Sequence, residues 1–435
     1  MRIAIVGAGP AGLFSAIALA RRGHPVVVVD RDRGPAPGGD WPRRGLMQFH
    51  HAHTFRPQVV DALLAEMPDV LDRLVAVGAT LPTSPDGRVA ALLCRRSVFE
   101  RVMRTVALRQ SGVTFAAGHA ELMPLDHDRV RGVEVGGCAL GADLVIDASG
   151  RAGRFGESVR PAAEVSDCGA VYITRQYKLR NGAPAAQSNS PIGLSLSLAG
   201  YAAIAFLHDD RTFSVTLIHD GSDDRLRLLR DAGTFDAAVG AIPRLADWAE
   251  PTRAQPISPV IPGGRLYNSY RGQCRDVVGL ISVGDAVCTT TPLAGRGVAL
   301  ALTQARELVH SLDRYTDDLP GATKHFDKWC AEHIRPWFDD HRCADTDRIR
   351  RWSGGDVDLG KPLPSDLIVA AAEADPNLQP IVGPYARMDA PPASLAPARA
   401  TAHALFAGGW RPQIEPGPTR AELARMCATA GRGAA

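Results

Sequence analysis

The N-terminal segment of the chain follows the order strand, glycine turn, helix and strand, and this order restricts the possible folds. Ile3–Val6 is an apolar run typical of a buried parallel strand, and residues 25–29 form a second such run. Glycines at positions 7, 9 and 12 follow the first run with G-x-G-x-x-G spacing. In such a motif Gly7 permits a tight turn, Gly9 lets a pyrophosphate approach the backbone, and Gly12 lets the helix lie close to the strand. The segment therefore predicts a dinucleotide-binding βαβ unit.

Asp30 ends the second strand at the position where such units bind a ribose. Its carboxylate can accept hydrogen bonds from both hydroxyls of an adenosine ribose, so we expect a ribose without a phosphate. The phosphates would face the helix N-terminus, whose unpaired N–H groups and dipole favour negative charge. Ala11 and Arg31 lie next to these positions and belong to the expected cofactor site. The motif alone leaves FAD and NAD open, and a glycine-rich turn in an unrelated α/β protein is the alternative.

Two later segments repeat the pattern of a buried strand that ends in an acid and a glycine. The first places Asp147 and Gly150, and the second places Gly284 and Asp285, at the end of such a strand. Ligands of α/β sheets bind at the carboxyl ends of the strands. A carboxylate at Asp285 can hold the hydroxyls of a ribityl chain, so this segment favours FAD, which is longer than NAD.

A second glycine-rich turn precedes a helix predicted from about residue 298. Pro292, Gly295 and Gly297 open a helix N-terminus whose N–H groups can face the electron-rich edge of an isoalloxazine. A helix dipole at that edge stabilises the reduced flavin. Arg296 stands between the two glycines, where it could hold an acidic substrate or the flavin carbonyl, or point to solvent.

The hydrophobic pattern divides the chain into three regions. We predict an α/β fold with a Rossmann-like FAD-binding domain built from discontinuous segments, residues 1–165 and 270–325. Residues 166–269 alternate with period two and predict an antiparallel β-sheet substrate domain. Residues 326–435 predict a helical and irregular C-terminal region in which we find no chemistry. For the aromatic residues on these strands, we favour a position in the core over contact with substrate. These residues are Tyr172, Tyr177, Tyr201, Phe206 and Phe213.

These motifs resemble the FAD-dependent monooxygenases of the aromatic hydroxylase and epoxidase type, with the p-hydroxybenzoate hydroxylase-like fold, over roughly residues 1–315. The resemblance implies that Arg95 or Arg96 contacts the flavin chain and that Asp147 and Gly150 occupy the place of the family's middle motif. It also implies that reduced flavin and O2 form a C4a-hydroperoxide. That species hydroxylates or epoxidises a small or medium organic substrate in a pocket without water. NAD(P)H or a partner flavin reductase would supply the electrons.

Two motifs depart from the family's usual sequences. Ala148-Ser149-Gly150 stands where Ala-Asp-Gly is usual, and Cys288 and Ala299 replace a histidine and an asparagine of the third motif. Relatives that oxidise, reduce or halogenate carry such changes. The alternatives are therefore a reductase of isoprenoid-type double bonds and a non-catalytic flavoprotein partner. A halogenase is disfavoured, because the resemblance would call for a Trp-x-Trp-x-Ile-Pro segment and a lysine in the first half, whereas the first lysine is Lys178.

Three clustered histidines, among them His51 and His53, follow the first unit. We do not expect a metal, because adjacent residues on one loop rarely complete a tetrahedral site. A structural role and a polar role beside flavin or substrate are the alternatives. His51, His53 and Arg296 are the catalytic candidates. Upstream, Arg43 and Arg44 could contact a cofactor phosphate, although a solvated loop is the favoured interpretation.

Composition excludes several other classes of protein. The net charge of +2 and the lack of a basic stripe with aromatics argue against nucleic-acid binding. The eight cysteines form no C-x-x-C pair, so neither a zinc site nor a disulfide framework is expected. No run of 18 apolar residues is present, and the first strand leaves no room for a signal peptide, so we expect a cytoplasmic protein without a transmembrane segment. Its partners would be a small-molecule substrate and O2, and the oligomeric state stays open.

Overall fold

The computed structural model describes residues 1–36, 39, 41, 43, 46–264, 266–274 and 276–433. The strands are β1 Ile3–Val6, β2 Val26–Asp30, β3 Val113–Ala117, β4 Ala120–Leu122, β5 Gly132–Val135, β6 Cys138–Gly141, β7 Leu144–Asp147, β8 Glu164–Asp167, β9 Ala170–Leu179, β10 Gly193–Leu198, β11 Tyr201–Leu207, β12 Thr212–Asp220, β13 Ala254–Pro256, β14 Ile261–Gly263, β15 Tyr267–Tyr270, β16 Leu280–Ser282 and β17 Cys288–Thr289. The helices are α1 Pro10–Arg21, α2 Pro57–Glu66, α3 Pro68–Ala76, α4 Arg96–Arg109, α5 Ala232–Gly240, α6 Pro243–Ala249, α7 Gly297–Arg314, α8 Leu319–His333, α9 Arg335–Trp352, α10 Ser365–Ala370, α11 Gln379–Arg387, α12 Arg399–Ala407 and α13 Arg420–Gly433. The predicted α/β fold class is confirmed.

A five-stranded parallel sheet in the order β16-β7-β1-β2-β3 organises the first part of the chain. The central strand β1 is buried throughout and pairs with a strand on each side, so that Val6 lies opposite both Val29 and Asp147. Parallel strands covered on both faces are apolar along their whole length, as β1 is. Because the strands share one direction, their carboxyl ends at Val6, Asp30, Asp147 and Ser282 lie along one edge of the sheet.

The edge strand β16 comes from a segment far along the chain and pairs with β7. The helix that follows it, α7, packs against α1, and both helices contribute to one hydrophobic core. Pro10 is the first residue of α1, where its fixed φ and missing N–H suit a helix start. The segment around β16 therefore completes the sheet that begins at the N-terminus. The limits 1–165 and 270–325 for an FAD-binding domain stay a prediction.

A six-stranded sheet follows, with the antiparallel order β10-β11-β12-β9-β13 and with β14 also paired to β9. Its side chains alternate between two faces, as expected for antiparallel strands. One face, which includes Ile173, Val215 and Leu217, packs on α5 and α6 in a separate core. The opposite face, with Thr174 and Thr216, turns towards the carboxyl edge of the parallel sheet.

The C-terminal region consists of helices α8 to α13 with short irregular connections. Helices α8 to α12 contribute buried side chains to the core of the parallel-sheet unit, whereas α13 returns to the antiparallel sheet. There Leu423, Ala424 and Cys427 are buried in the same core as Leu198. Among the helices of the described residues, none combines the length and the apolar character that a membrane crossing requires.

Candidate active site

A cleft runs along the carboxyl edge of the parallel sheet and ends at the inner face of the antiparallel sheet. Predicted site residues that line it are Gly7, Gly9, Ala11, Asp30, Arg31, His51, His53, Arg96, Gly150, Asp285, Pro292, Gly295 and Gly297. Predicted site residues outside its lining are Gly12, Arg95, Asp147, Gly284 and Arg296. The cavity has a volume of about 340 Å³. Small-molecule sites commonly enclose roughly 300–1,000 Å³, so this cleft has the size of a small-molecule site.

The three glycines of the first turn have different surroundings. Gly7 has a φ of +109°, and a Cβ there would collide with the carbonyl oxygen of Ala148. A Cβ on Gly12 would collide with the carbonyl oxygen of Gly7, so this glycine lets α1 lie against the turn. A Cβ on Gly9 would meet no protein atom within 4 Å, although Gly9 lines the cleft. Gly7 and Gly12 are therefore required by packing, and Gly9 leaves space for a ligand.

Asp30 lies at the end of β2 and is held by three donors. The N–H of Ala8 donates to its Oδ2 at 2.6 Å, and the N–H of Asp32 donates to its Oδ1 at 2.8 Å. Arg43 also donates to Oδ2, from Nη2 at 3.1 Å. The Arg43 side chain is only 8% exposed and lines the cleft, so the expectation of a solvated loop is wrong for this residue. Arg44 lies outside the described residues.

Glu100 is fully buried between two arginines of the cleft. One carboxylate oxygen accepts a hydrogen bond from Arg43, and the other accepts one from Nε of Arg96 at 2.5 Å. A carboxylate with no exposed surface is tolerated here because each oxygen accepts a charge-assisted hydrogen bond. Burial lowers the pKa of Arg96 to about 10, so this cation persists at neutral pH. Sequence reasoning missed Glu100, because only the i,i+4 spacing to Arg96 on α4 hinted at the pair.

His53 lines the cleft, but both of its ring nitrogens are engaged. Arg96 can only donate, so the Nη1–Nε2 contact of 3.4 Å makes Nε2 of His53 the acceptor. Its Nδ1 then carries the proton and donates to the carbonyl of His51 at 3.0 Å. Burial, with help from the charge of Arg96, holds the pKa of His53 well below 6.5. The structure therefore supports a role for neutral His53 in positioning Arg96 and does not support the predicted catalytic role.

The side chains of the neighbouring residues Arg95 and Arg96 lie in different surroundings. Arg95 forms a two-pronged ion pair with Asp209, at 3.0 Å from Nε and 2.5 Å from Nη2 to Oδ2. Its backbone N–H donates to the same carboxylate at 2.6 Å. Arg95 thus fixes the start of α4 to the β11–β12 turn and does not line the cleft. Of these two predicted site residues, Arg96 lines the cleft and Arg95 does not.

Asp285 follows β16 and lines the middle of the cleft. Burial raises the pKa of its carboxyl, and the positive charges of Arg96 and Arg151 oppose that shift. The preceding residue, Gly284, has a φ of +70°, and a Cβ there would lie 3.0 Å from the Cβ of Ala11. Gly284 therefore allows close packing against α1. Of these two residues, Asp285 is the one that presents a polar side chain to the cleft.

Asp147 is buried at the end of β7 and has no contact with the cleft. Its Oδ2 accepts hydrogen bonds from Nη1 of Arg160 at 3.1 Å and from the Ser282 hydroxyl at 3.3 Å. The N–H of Ser149 donates to its Oδ1 at 3.0 Å. These bonds join β7 to β16 and shape the turn that carries Gly150. The structure does not support direct contact of Asp147 with a cofactor.

Arg296 points away from the cleft, although Gly295 and Gly297 on either side line it. Its guanidinium lies against the rings of Trp337 and Tyr385, at 4.5 and 4.6 Å from their centroids. Its Nη1 also forms an ion pair with Asp340 at 3.1 Å. The predicted catalytic and cofactor-binding roles of Arg296 are therefore not supported. Its side chain fastens the glycine loop to helices α9 and α11.

Arg56 strengthens the same connection from the start of α2. Its guanidinium donates to the carbonyl oxygen of Ala294, in the loop, and to that of Ala386, at the end of α11. Asn268 adds a third link, because it accepts a hydrogen bond from the N–H of Thr291 at 2.6 Å and donates to Asp345 of α9 at 2.8 Å. The C-terminal region, in which the sequence showed no chemistry, therefore holds the loop at the far end of the cofactor site.

His51 lies where the cleft meets the antiparallel sheet. Its Nδ1 forms a hydrogen bond of 2.8 Å with the Thr174 hydroxyl, which in turn lies 2.9 Å from the Thr216 hydroxyl. Burial, with a smaller contribution from His50, lowers the pKa of His51 to about 4, so the imidazole is neutral at neutral pH. Among the described residues its Nε2 has no hydrogen-bond partner. The two threonines could not be chosen from the sequence, where they are ordinary strand residues.

The strand aromatics divide between two environments. Tyr177, Tyr201 and Phe213 are buried in the core of the antiparallel sheet, as predicted. Tyr172 and Phe206 line the cleft and form part of its wall. The division follows from strand register, because neighbouring residues on a strand face opposite sides of the sheet.

Within the described ranges, no group of three or more His, Cys, Asp or Glu side chains is arranged to hold a metal ion. The cysteines are free and most are buried. Burial keeps the pKa of the Cys288 thiol far above its ordinary value of 9, so this residue carries no thiolate at neutral pH.

The cleft matches the chemistry of FAD along its length. The backbone is open at Gly9 and Gly297, since a Cβ on either would meet no protein atom within 4 Å. Cationic side chains, Arg43 and Arg96, line the part between the first turn and Asp285, where a diphosphate would pass. Carboxylates at each end of that part can accept hydrogen bonds from sugar and ribityl hydroxyls. The residues present therefore fit this cofactor.

Comparisons with known proteins agree with this geometry. Residues 2–154 match the family described as FAD dependent oxidoreductase. The flavin-dependent brominase Bmp2 is similar in structure, with a TM-score of 0.63 and 13% identity over 100% of this chain and 99% of that chain. PqsL, a probable FAD-dependent monooxygenase from Pseudomonas aeruginosa, has a TM-score of 0.58 and 16% identity over 82% of this chain and 100% of that chain.

A third similar structure is 2-methyl-3-hydroxypyridine-5-carboxylic acid oxygenase, with a TM-score of 0.57 and 17% identity over 83% of this chain and 94% of that chain. No curated protein sequence matches the chain significantly. Residues 2–154 are thus similar to the FAD dependent oxidoreductase family, and the chain shares its fold with these flavin-dependent proteins.

Proposed function

We propose that this protein is an FAD-dependent monooxygenase that hydroxylates or epoxidises a small or medium organic substrate. The continuity of the cleft is the observation that carries this proposal. The cleft begins at the open backbone of Gly9, passes Asp285 and the loop with Gly295 and Gly297, and continues to a face of the antiparallel sheet. A site for the cofactor alone would not need this last part. A second molecule can therefore lie between the loop and the sheet.

The chain's own residues divide the work of holding the cofactor. The N–H groups at the start of α1 and the guanidinium groups of Arg43 and Arg96 would donate hydrogen bonds to the diphosphate. Asp30 and Asp285 would accept hydrogen bonds from the ribose and ribityl hydroxyls. We propose that the remaining contacts come from Gly7, Ala11, Arg31, Gly150, Pro292, Gly295 and Gly297, with Gly12 and Gly284 supporting them through packing.

The loop before α7 would act on the reactive end of the cofactor. Gly297 is the first residue of α7, an 18-residue helix, so the positive end of its dipole faces the cleft. A positive potential there favours the reduced, electron-rich state of a flavin. Bound FAD supplies the two-electron redox chemistry and the activation of O2. Arg56 and Arg296 fix the position of this loop through their contacts on the side away from the cleft.

The antiparallel sheet would form the roof over the substrate. Tyr172, Ile204 and Phe206 present mainly apolar surface to the cleft and leave little room for water near the reacting atoms. Exclusion of water prevents wasteful release of activated oxygen. His51 supports this roof through its hydrogen bond to Thr174.

The experiment that tests the proposal follows electrons and oxygen in the purified protein. An absorption spectrum shows whether flavin is bound, and anaerobic mixing with NADH, NADPH or NADPH plus a separate flavin reductase identifies the reductant. We expect O2 uptake to rise with a suitable member of a panel of aromatic and polyene compounds, and the product to contain one atom from ¹⁸O2. A product formed equally well without O2 would show a double-bond reductase, and a flavin that no reductant bleaches would show a non-catalytic flavoprotein.

A halogenase activity is not proposed, although Bmp2 is similar in fold. The chain has four lysines, Lys178, Lys324, Lys328 and Lys361, and none of them lines the cleft. Lys178 instead forms an ion pair with Asp210 at 2.7 Å, on an exposed part of the antiparallel sheet. Addition of bromide or chloride to the oxygen-uptake assay should therefore leave the products unchanged.

A further inference from the structure

Three arginine side chains lie near the buried His341, next to the loop that precedes α7. Arg296 ends the loop, Arg56 stands at the start of α2, and Arg348 belongs to α9. None of the three lines the cleft. Burial first, and then the positive charges of these three residues, hold the pKa of His341 well below 6.5. The imidazole is therefore neutral at neutral pH, and the positive charge of this cluster belongs to the arginines.

Two of these arginines have a carboxylate partner. Arg296 forms an ion pair with Asp340 at 3.1 Å from Nη1 to Oδ2, and Arg348 forms one with Asp345. Both carboxylates are almost fully buried. A buried ion pair has little net charge, so these two pairs contribute little to the electrostatic potential at a distance.

Arg56 differs, because it forms no ion pair with an acid in the part of the chain that the structure describes. Its two Nη atoms donate to the carbonyl oxygens of Ala294 and Ala386. Burial, with help from the charge of Arg296, lowers its pKa to about 10, so Arg56 is still charged at neutral pH. Ala386 lies at the C-terminal end of α11, and such a helix end carries about half a negative charge. A net positive charge therefore remains beside the loop.

The backbone of the loop separates this charge from the cleft. Ala294 accepts its hydrogen bond from Arg56 and does not line the cleft, whereas Pro292 and Gly295 of the same turn do line it. Nε of Arg56 is shielded from solvent, so water screens the charge less than it would at the surface. The start of α7 adds the positive end of its dipole at the same place.

We propose that the unpaired charge of Arg56 acts on the reactive end of the bound flavin and favours the reduced cofactor over the oxidised one. This inference rests on the proposed function in one respect, that the reactive end of FAD lies at this loop. The oxidised ring system is neutral, whereas the reduced one is electron-rich, so a positive potential binds the reduced form more tightly. Arg56 thereby raises the reduction potential without contacting the cofactor or the substrate.

The two-electron reduction potential of the FAD-loaded protein tests this role, measured anaerobically at pH 7.5 against a reference dye. Arg56→Met removes the charge and keeps an unbranched side chain. We expect the ratio of the affinities for reduced and oxidised FAD to fall by roughly tenfold. A tenfold change lowers a two-electron potential by about 30 mV.

Arg56→Lys separates the charge from the hydrogen bonds. Lysine keeps the charge but lacks the planar fork with which arginine reaches both carbonyl oxygens. We expect both variants to lower the melting temperature, and the potential to fall in Arg56→Met but to stay at the wild-type value in Arg56→Lys. A potential that falls equally in both variants, or in neither, would overturn the proposal.

Asp340→Asn tests the sign of the effect and decides the matter if Arg56→Met does not fold. It removes a negative charge from the same cluster and keeps an oxygen that can accept from Arg296, so the potential should rise. An unchanged or lower potential would overturn the proposal. Arg175→Met is the matched control, because Arg175 pairs with Asp236 at 2.5 Å and does not line the cleft. Its potential should equal that of the wild type, and a fall as large as that of Arg56→Met would also overturn the proposal.

The potentials need no turnover, so they separate two kinds of failure. If they shift as expected but O2 uptake never depends on substrate, the monooxygenase proposal fails and the role of Arg56 stands. If O2 uptake depends on substrate but the potential of Arg56→Met equals that of the wild type, the role of Arg56 fails and the monooxygenase proposal stands.

Discussion

Replacement of Gly9 by leucine would test the cofactor site with little disturbance to the protein around it. Gly9 precedes the first residue of α1 and has φ −80° and ψ −177°, a conformation open to any residue. A Cβ there would meet no protein atom within 4 Å, so the new side chain extends into the cleft. The loss of a favourable N-cap residue should cost about 1 kcal/mol of stability or less. The folded protein should therefore persist.

The effect on FAD binding can be worked from contact distances. A phosphate oxygen that accepts a hydrogen bond from a helix N–H lies at about 2.7–3.2 Å from the nitrogen. Non-bonded carbon atoms keep partners at about 3.5–4.0 Å, so an intervening Cβ and the leucine carbons beyond it push the diphosphate out of bonding range. Each lost bond to a charged group is worth about 1.5–3 kcal/mol. Loss of two would weaken FAD binding by roughly 10²- to 10⁴-fold.

Titration of apo-protein with FAD, followed by flavin fluorescence, measures this change, and circular dichroism checks that the variant is folded. Gly240→Leu is the matched control, because a Cβ at this exposed end of α5 also meets no protein atom within 4 Å. Its FAD affinity should equal that of the wild type. A folded Gly9→Leu protein that purifies yellow and fully loaded would refute the assignment of the diphosphate to this turn.

Three further changes have expected outcomes. Gly12→Val should prevent correct folding, because its Cβ would collide with the Gly7 carbonyl oxygen; a soluble variant with wild-type melting temperature would contradict the packing described here. Asp285→Ala should weaken FAD binding by about tenfold through loss of a charge-assisted hydrogen bond, with a shifted flavin spectrum; unchanged affinity and spectrum would place the ribityl chain elsewhere. Burial lowers the pKa values of His51 and His208 to about 4, so the folded state favours the neutral imidazole. The free energy of unfolding should therefore be unaffected by these histidines above pH 6.5. It should fall as the pH is lowered from 6.5 towards 4, by up to about 3 kcal/mol for each histidine. Urea unfolding at pH 4.5, 5.5 and 7 measures this loss, which His208→Gln should reduce; equal stability at all three values would show that these histidines titrate normally.

Local sequence was sufficient for the first turn and for the elements around it. The spacing of the glycines and the apolar run of β1 depend on neighbouring residues alone, so their pattern predicts the strand, the turn and the helix directly. The same holds for the segment of Gly284 and Asp285, where a buried strand ends in an acid. The predicted antiparallel region was recognisable for the same reason, since period-two alternation is a local property.

Side-chain direction was not a local property. Arg95 and Arg96 are adjacent, yet successive residues at a helix start point in directions about 100° apart, so only one reaches the cleft. Arg296 stands between two glycines that line the cleft, but its guanidinium packs against Trp337 and Tyr385 on the other side of the loop. No sequence pattern near Arg296 predicts contact with those two rings.

The sequence by itself determined that this chain forms a dinucleotide-binding unit with a second, distant glycine loop, because short-range spacing encodes both. The tertiary structure decided which polar groups face the cleft. Glu100, on the same helix as Arg96, joins it to Arg43, and Thr174 and Thr216 support His51. The contacts of Arg43 with Glu100 and of His51 with Thr174 join segments far apart in the chain. Such contacts depend on how sheets and helices pack. That packing depends on the whole hydrophobic core, so no single motif predicts it.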